Sequence, residues 1–266
     1  MLTVTELFLY PLKSAAALPL TQAQVEPLGV AHDRRWMVAE QDGTFITGRR
    51  DPAMLRIQAV PSATSLRLSA PGLPSLEVPV PPRDAPRLEI SIWDDTCSAA
   101  RAGEAADAWL SAFLGRPVCL VYVDERMERP VDPRYSAPGD KVGFADGFPL
   151  LLLSRASLEA LNQRLVRPVS LLHFRPNLVV EGCEPFAEDT WKRLRIGSVE
   201  LEVVSPCARC VLTTFDPLTQ ERDPEGEPLR TLTTFRRQQN KVMFGQNVVV
   251  RRPGRMQLGD AVDVLE

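Results

Sequence analysis

The chain has 266 residues, 44% hydrophobic and 24% charged, the balance of a globular protein with a substantial core. Its 31 basic and 34 acidic residues leave a net charge of −3, which excludes the global basic field of a nucleic-acid binder. The longest apolar run, residues 148–153, falls far short of the roughly 20 residues that span a bilayer, so no membrane span is expected.

No basic leader precedes a long apolar core, so a secretory signal is not expected. Five cysteines, an odd number, then read as reduced thiols in the cytoplasm. The 24 prolines and the scarcity of helix-compatible stretches favour many short strands, an α+β and predominantly β class.

Residues 4–10, VTELFLY, alternate as a strand, with Pro11, Lys13 and Ser14 just past it. A lysine and a serine there can bind a phosphate, although the dipeptide alone reads first as an exposed loop. Residues 23–27 and a turn at Gly29 lead to a second strand over 32–39, with Arg34 and Arg35 at its entry. Alternation sends those two side chains to opposite faces, so only one can meet a shared pocket. Asp42-Gly43 predicts a hairpin turn and 45–47 a returning strand, followed by Arg49 and Arg50. Short strands continue over 55–60, 65–69, 76–80 and 88–92, closed by Trp93-Asp94-Asp95. Then Ala106, Trp109, Leu110, Phe113 and Leu114 mark one face of a helix that Gly115 stops, with Trp109 and Phe113 as core.

After a strand over 118–123, residues 124–138 are polar and aperiodic, a long surface loop or boundary with Arg126, Arg129 and Arg134 solvated. Two domains are expected, 1–121 and 122–266. Residues 150–153 form a buried strand, and Ser154 caps a helix over 155–165 whose inward face is Leu158, Leu161 and Leu165. Residues 174–177 feed a strand over 178–180. A hairpin about Gly197-Ser198 runs into Cys207-Ala208-Arg209-Cys210, and the β-branched and aromatic run 211–215 opposes a helix there. A short helix over 230–239, a loop and strand over 244–250 and a final hairpin over 254–265 complete the chain.

The Cys207-x-x-Cys210 pair has several chemical readings. Structural zinc wants four ligands, but there is one such pair and the histidines are His32 and His173. A thioredoxin-like dithiol opens a helix, which run 211–215 opposes. The third reading is one thiolate on the redox metal of a cofactor, with the second cysteine in support. Cys97, Cys119 and Cys183 stand singly and read as small buried hydrophobes. Spacing alone does not choose among these.

Six stretches in order resemble a known family: YPLKS at 10–14, DRRWMV at 33–38, FPLLLLSRASLEALN at 148–162, FRPNLVV at 174–180, PCARCVLTTFDPLT at 206–219 and FGQNVVV at 244–250. They are similar to the two-domain MOSC-domain proteins, a group that includes YcbX-type bacterial proteins and the mitochondrial amidoxime-reducing component. The resemblance covers nearly the whole chain. It implies an N-terminal β-rich, barrel-like domain packed on a MOSC-type β-barrel with a few helices.

It also implies a molybdenum–molybdopterin cofactor (Moco), held without a covalent link to the pterin, with Cys210 as metal ligand and catalytic centre. A soft thiolate suits that metal. By the same resemblance Lys13, Ser14 and Arg34 hold the phosphate and ring, and Asp146, Gly147 and Phe148 lie along the pterin. Arg175 and Asn177 complete the pocket, Ala208 and Arg209 add backbone or charge, and Asn247 closes it. Phe148 departs from the small hydroxyl residue that relatives can carry there. The implied reaction is reduction of small N-hydroxylated compounds (hydroxylamines, amidoximes, N-hydroxylated nucleobases) by two electrons and two protons. With no four-cysteine cluster pattern before Glu266, a separate ferredoxin-type or cytochrome/reductase-type electron donor is expected. A cofactor carrier, a persulfide sulfur-transfer protein using Cys210, and a small-anion-binding regulatory domain are the alternatives. The set Lys13, Arg34, Arg175 and Asn177, which persulfide chemistry does not need, favours the reductase. The resemblance further carries an association with pyridoxal phosphate.

Overall fold

The computed structural model describes residues 1–266, and it is mainly strands with three α-helices, the expected α+β class. The largest sheet has nine strands. Eight run in the order Val262–Val264, Arg193–Ile196, Val199–Arg209, Lys241–Arg252, Leu150–Ser154, Leu178–Glu181, Thr3–Leu9 and Leu18–Leu20. The ninth, Arg237–Gln238, pairs with Lys241–Arg252.

The first strand, with Leu18–Leu20 beside it, thus belongs to a sheet built otherwise from the second half of the chain, and it lies antiparallel to Leu178–Glu181. Its apolar residues serve both faces, as strands covered on two sides do. Val4, Leu7 and Leu9 join Leu152, Leu178 and Val250 in one core, while Phe8 joins Leu153, Val179 and Phe244 in another. This pairing delivers Lys13 and Ser14, just past the strand, to the second half.

Leu150–Ser154 and Leu178–Glu181 are parallel, so the chain between them must cross over, and the helix Arg155–Asn162 does so. Ser154 caps it as expected, accepting from the Ser157 N–H. The buried carboxylate of Glu188 then accepts from the Ser154 N–H and hydroxyl at 3.1 and 2.9 Å. The helix stops at Asn162, shorter than its sequence pattern.

The rest of the first half forms smaller sheets, one ordered Trp36–Ala39, Cys119–Tyr122, Asp95–Arg101, Arg87–Ile92 and another Gln58–Pro61, Ser65–Ala70, Leu73–Pro79. The helix Glu104–Leu114 ends at Gly115 in the left-handed conformation, and Trp109 is core, as expected.

Several expectations are corrected. Of residues 45–47 only Phe45 makes a bridge, to Ala39, and a strand absent from the sequence reading, Asp95–Arg101, pairs along Arg87–Ile92. Residues 254–265 do not pair with each other: Gly254–Gln257 joins Gln22–Glu26, and Val262–Val264 joins Arg193–Ile196. Val211–Thr214 is a 3-10 helix. There the Thr213 and Thr214 hydroxyls donate back to the carbonyls of Cys210 and Val211 at 2.9 and 2.8 Å, a local bond that outcompetes a sheet ladder. Arg129 is the sharpest correction: expected in solvent, it is 2% exposed.

The long pair Val199–Arg209 and Lys241–Arg252 carries three register shifts, one between Pro206 and Ala208. Pro206 has no N–H for the ladder, which favours a bulge there. In an unbroken strand Cys207 and Arg209 would share one face and Ala208 the other. Across the bulge all three border one cavity. On the facing strand Gly245 has φ +77, and a Cβ there would stand 2.9 Å from the Leu152 carbonyl oxygen. Gly245→Ala is therefore expected to cost about 1–3 kcal/mol, read as a lower midpoint in denaturant unfolding; an unchanged midpoint would contradict this packing.

Candidate active site

A cavity of about 430 Å³ opens where the two halves meet. All of the residues singled out from sequence line it: Lys13, Ser14 and Arg34 from the first half, then Asp146, Gly147 and Phe148. Arg175, Asn177, Ala208, Arg209, Cys210 and Asn247 complete the set. Six Lys or Arg side chains reach this lining against a single carboxylate, Asp146, in a chain whose net charge is −3. Such an imbalance is the electrostatic signature of an anion site.

The positive charges are held by the fold. Tyr10 is fully buried at the end of the first strand, and the guanidinium centres of Arg34 and Arg175 each lie 4.2 Å from its ring centroid. A ring face attracts cations, so Tyr10 holds two arginines together that would otherwise repel. Burial pushes its hydroxyl up to about 12, against the pull of Arg175 and Arg34. Arg34 also donates to Asp33 at 2.5 Å and to Asn177 Oδ1 at 2.9 Å. The Asn177 amide is spent within the protein: Oδ1 also accepts from the Leu151 N–H, and Nδ2 donates to the Phe8 carbonyl. Asn177 therefore positions Arg34. Asn247 likewise donates to Ser205 Oγ at 3.1 Å and the Pro206 carbonyl at 3.3 Å, holding the bulge.

Arg175 and Arg209 differ. Each spends one bond on a backbone carbonyl, Arg175 on Ala15 at 2.7 Å and Arg209 on Phe174 at 2.6 Å. Arg175 Nη2 and Arg209 Nε are then buried with no acceptor. A buried charged donor without an acceptor is costly, and burial drags Arg175 from 12.5 down to about 10. With its folded pKa depressed, this cation costs stability at every pH below about 10, and the cost is relieved only as it loses its proton. An anion on the free N–H groups removes the same cost at neutral pH.

Lys13 is 5% exposed, and its ammonium donates to the Phe144 carbonyl at 2.8 Å and to Asp146 at 2.5 Å. Burial lowers its pKa against the raising effect of Asp146. The Asp146 side chain is 63% exposed. Desolvation opposes its ionisation, but Lys13 and then Arg49 outweigh that and hold the group well below the usual carboxylate range. The loop bearing Asp146 is fixed from behind by Arg129, which donates to the carbonyls of Gly143, Ala145 and Asp146 at 2.7, 2.6 and 3.0 Å. Its Nε donates to Asp95 at 2.8 Å, tying this wall to the first half.

The sulfurs sit together on this lining. Arg209 Nη1 donates to Cys207 Sγ at 3.0 Å, while burial pushes the Cys207 thiol up in spite of that arginine. Cys210 follows the last residue of the strand and begins the 3-10 helix, without such a partner on its sulfur. Cys97 and Cys119 are buried elsewhere and Cys183 partly so, as expected of the single cysteines.

Arg34 and Arg35 do diverge, Arg34 into the pocket and Arg35 to Glu26 at 2.8 Å, but strand alternation is not the cause. Arg34 lies in a turn at φ 44. Ser14 at φ 66 and Arg175 at φ 56 share that left-handed backbone, strain of the kind that collects at functional sites. Sequence reading missed Arg49, Trp93, His173 and Lys241, which also line the cavity. Only the Arg49-Arg50 and Trp93-Asp94-Asp95 turns hinted at two of them.

The anion reading has a direct check. Pyrophosphate at 100-fold above its dissociation constant is expected to stabilise cofactor-free protein by about 2.7 kcal/mol, seen as a higher unfolding midpoint. Arg175→Met should remove most of that response. An equal response in the variant would place the anion elsewhere.

The chain matches the MOSC N-terminal beta barrel domain over residues 1–117 and the MOSC domain over residues 139–263. Mitochondrial amidoxime-reducing component 1 of Xenopus laevis is 35% identical over 97% of this chain and 81% of its own length. The human protein of that name is 36% identical over 99% and 83%, and mitochondrial amidoxime reducing component 2 of Bos taurus 33% over 98% and 82%. These names correct the expected cytoplasmic location: the relatives are mitochondrial components, and the cysteine count does not outweigh them. No helix of the chain is long and apolar enough to cross a membrane. With both domains in order and a third of the residues shared along nearly the full length, the chain belongs to the MOSC-domain family of amidoxime-reducing components.

Proposed function

We propose that this protein is a molybdenum-cofactor-dependent reductase of N-hydroxylated compounds, fed by a separate electron-donor protein. One observation carries the reading: two arginines, each with a buried N–H donor that has no acceptor, border the same cavity as a pair of free thiols. A molybdopterin brings an anionic phosphate and a metal that accepts thiolate, so the donor set fits both ends of that group. The relatives' names, amidoxime-reducing components, support the substrate class.

In this reading Arg175, Arg209 and Lys13 hold the anionic end, and Arg34, fixed by Asn177 and Tyr10, adds charge beside them. The loop Asp146-Gly147-Phe148 offers main-chain groups to the pterin edge, and Asn247 holds the wall opposite the cysteines in the long strand pair. Cys210 is the metal ligand. When bound, the cofactor supplies the two-electron reduction of an N–O bond. Two protons are consumed as well, and the oxygen leaves as water. The protein's own share is orientation and exclusion of water, to which the apolar side chains of Phe174, Leu151 and Leu212 in the lining contribute. The association with pyridoxal phosphate finds little support: the buried amine, Lys13, is engaged by Phe144 and Asp146.

The two cysteines separate the roles. Cys210→Ser should abolish reduction of benzamidoxime with reduced viologen as donor, a loss of at least about 10³-fold as expected on removing the group that holds the reaction centre. Cys207→Ser, which keeps an acceptor for Arg209, should cost much less. The reverse ranking would mean the ligand is Cys207.

A further inference from the structure

Trp93 is the exposed tryptophan of the chain, at 41%, whereas Trp36, Trp109 and Trp191 are at 2, 8 and 9%. It sits at the tip of the hairpin between Arg87–Ile92 and Asp95–Arg101, yet it borders the same cavity as Cys210. Its backbone is left-handed, with φ 54. A bulky residue pays for that conformation, and a loop tip could relax it with glycine or asparagine.

The side chain is also held in place. The indole N–H donates to Asp146 Oδ1 at 3.3 Å, the Arg49 guanidinium centre lies 4.2 Å from the ring centroid, and Phe45 meets the ring edge-on at 4.8 Å. Those contacts orient a large apolar group and leave much of it in solvent at the pocket. Phe148, partly exposed and braced edge-on by Tyr135 at 6.0 Å, is the second aromatic side chain at this opening. Phe174, the third aromatic neighbour, is fully buried and so belongs to the floor.

We infer that Trp93, with Phe148, is the specificity-determining rim of this site, stacking a planar aromatic N-hydroxylated substrate and favouring it over an aliphatic one. The inference rests on the N-reductive reading and deepens it. Aromatic stacking tolerates any flat π-system, so the rim selects planarity and not one ring pattern. Arg49 against the ring and the carboxylate of Asp146 on its N–H hold the indole in place.

The test compares benzamidoxime with acetamidoxime on cofactor-loaded protein. Trp93→Ala is expected to lower kcat/KM for benzamidoxime about tenfold relative to acetamidoxime, chiefly through KM, and Trp93→Phe to restore most of that ratio. Because the other tryptophans are buried, benzamidoxime should also quench the protein's fluorescence saturably, and Trp93→Phe should abolish that quenching. An unchanged ratio, or equal losses for both amidoximes, overturns the rim. So does wild-type fluorescence that benzamidoxime leaves untouched. Saturable quenching in a wild-type protein that reduces neither amidoxime would support the rim and strike the reductase reading instead.

Discussion

Unbalanced positive charge, much of it withdrawn from solvent, is the constraint on which this structure depends. Arg34 and Arg175 both lie against the ring of Tyr10, and Arg209 and Lys13 line the same cavity. Asp33 and Asp146 offset part of that charge. Two guanidinium N–H groups remain without acceptors, and burial would neutralise a weaker base. A fold keeps such a cost when a ligand removes it, which is the stability–function trade-off in its simplest form. The half-buried thiols beside these cations give the same cavity a place for a soft metal.

The scaffold that carries this charge is made of long-range pairings. The first strand joins the sheet of the second half, so the loop after it supplies Lys13 and Ser14 to a pocket lined mostly by residues after 140. Arg129 performs the reciprocal task, binding Asp95 of the first half and three carbonyls of the Asp146 loop. Removing such a buried, fully bonded cation is costly because its partners lose their donor together. Substitution at Arg129 thus reaches the pocket although its side chain does not line it.

What could be read from the amino-acid order was whatever local chemistry determines. Ser154 as a cap, Gly115 as a stop and the apolar face of the helix at Trp109 all depend on neighbours in sequence, and all hold. The pocket residues were legible because six short stretches resembled a family in order. Arg129 was not, since a lone arginine in a polar loop looks the same whether solvent or three carbonyls receive it. The strand Asp95–Arg101 was missed because its buried residues, Cys97, Ala99 and Ala100, lack the β-branched and aromatic side chains that mark a strand. At Val211–Thr214 propensity pointed the wrong way, and two threonine hydroxyls explain why.

The central claim is that this cavity completes its charge and its sulfur chemistry with one molybdenum-bearing, anionic cofactor. Metal analysis of protein purified from a host that makes the cofactor tests it most directly, with oxidised pterin measured on the same sample. The account predicts molybdenum and pterin in near-equal amounts, approaching one of each per chain. Protein that emerges well folded, with neither molybdenum nor pterin from such a host, would contradict it.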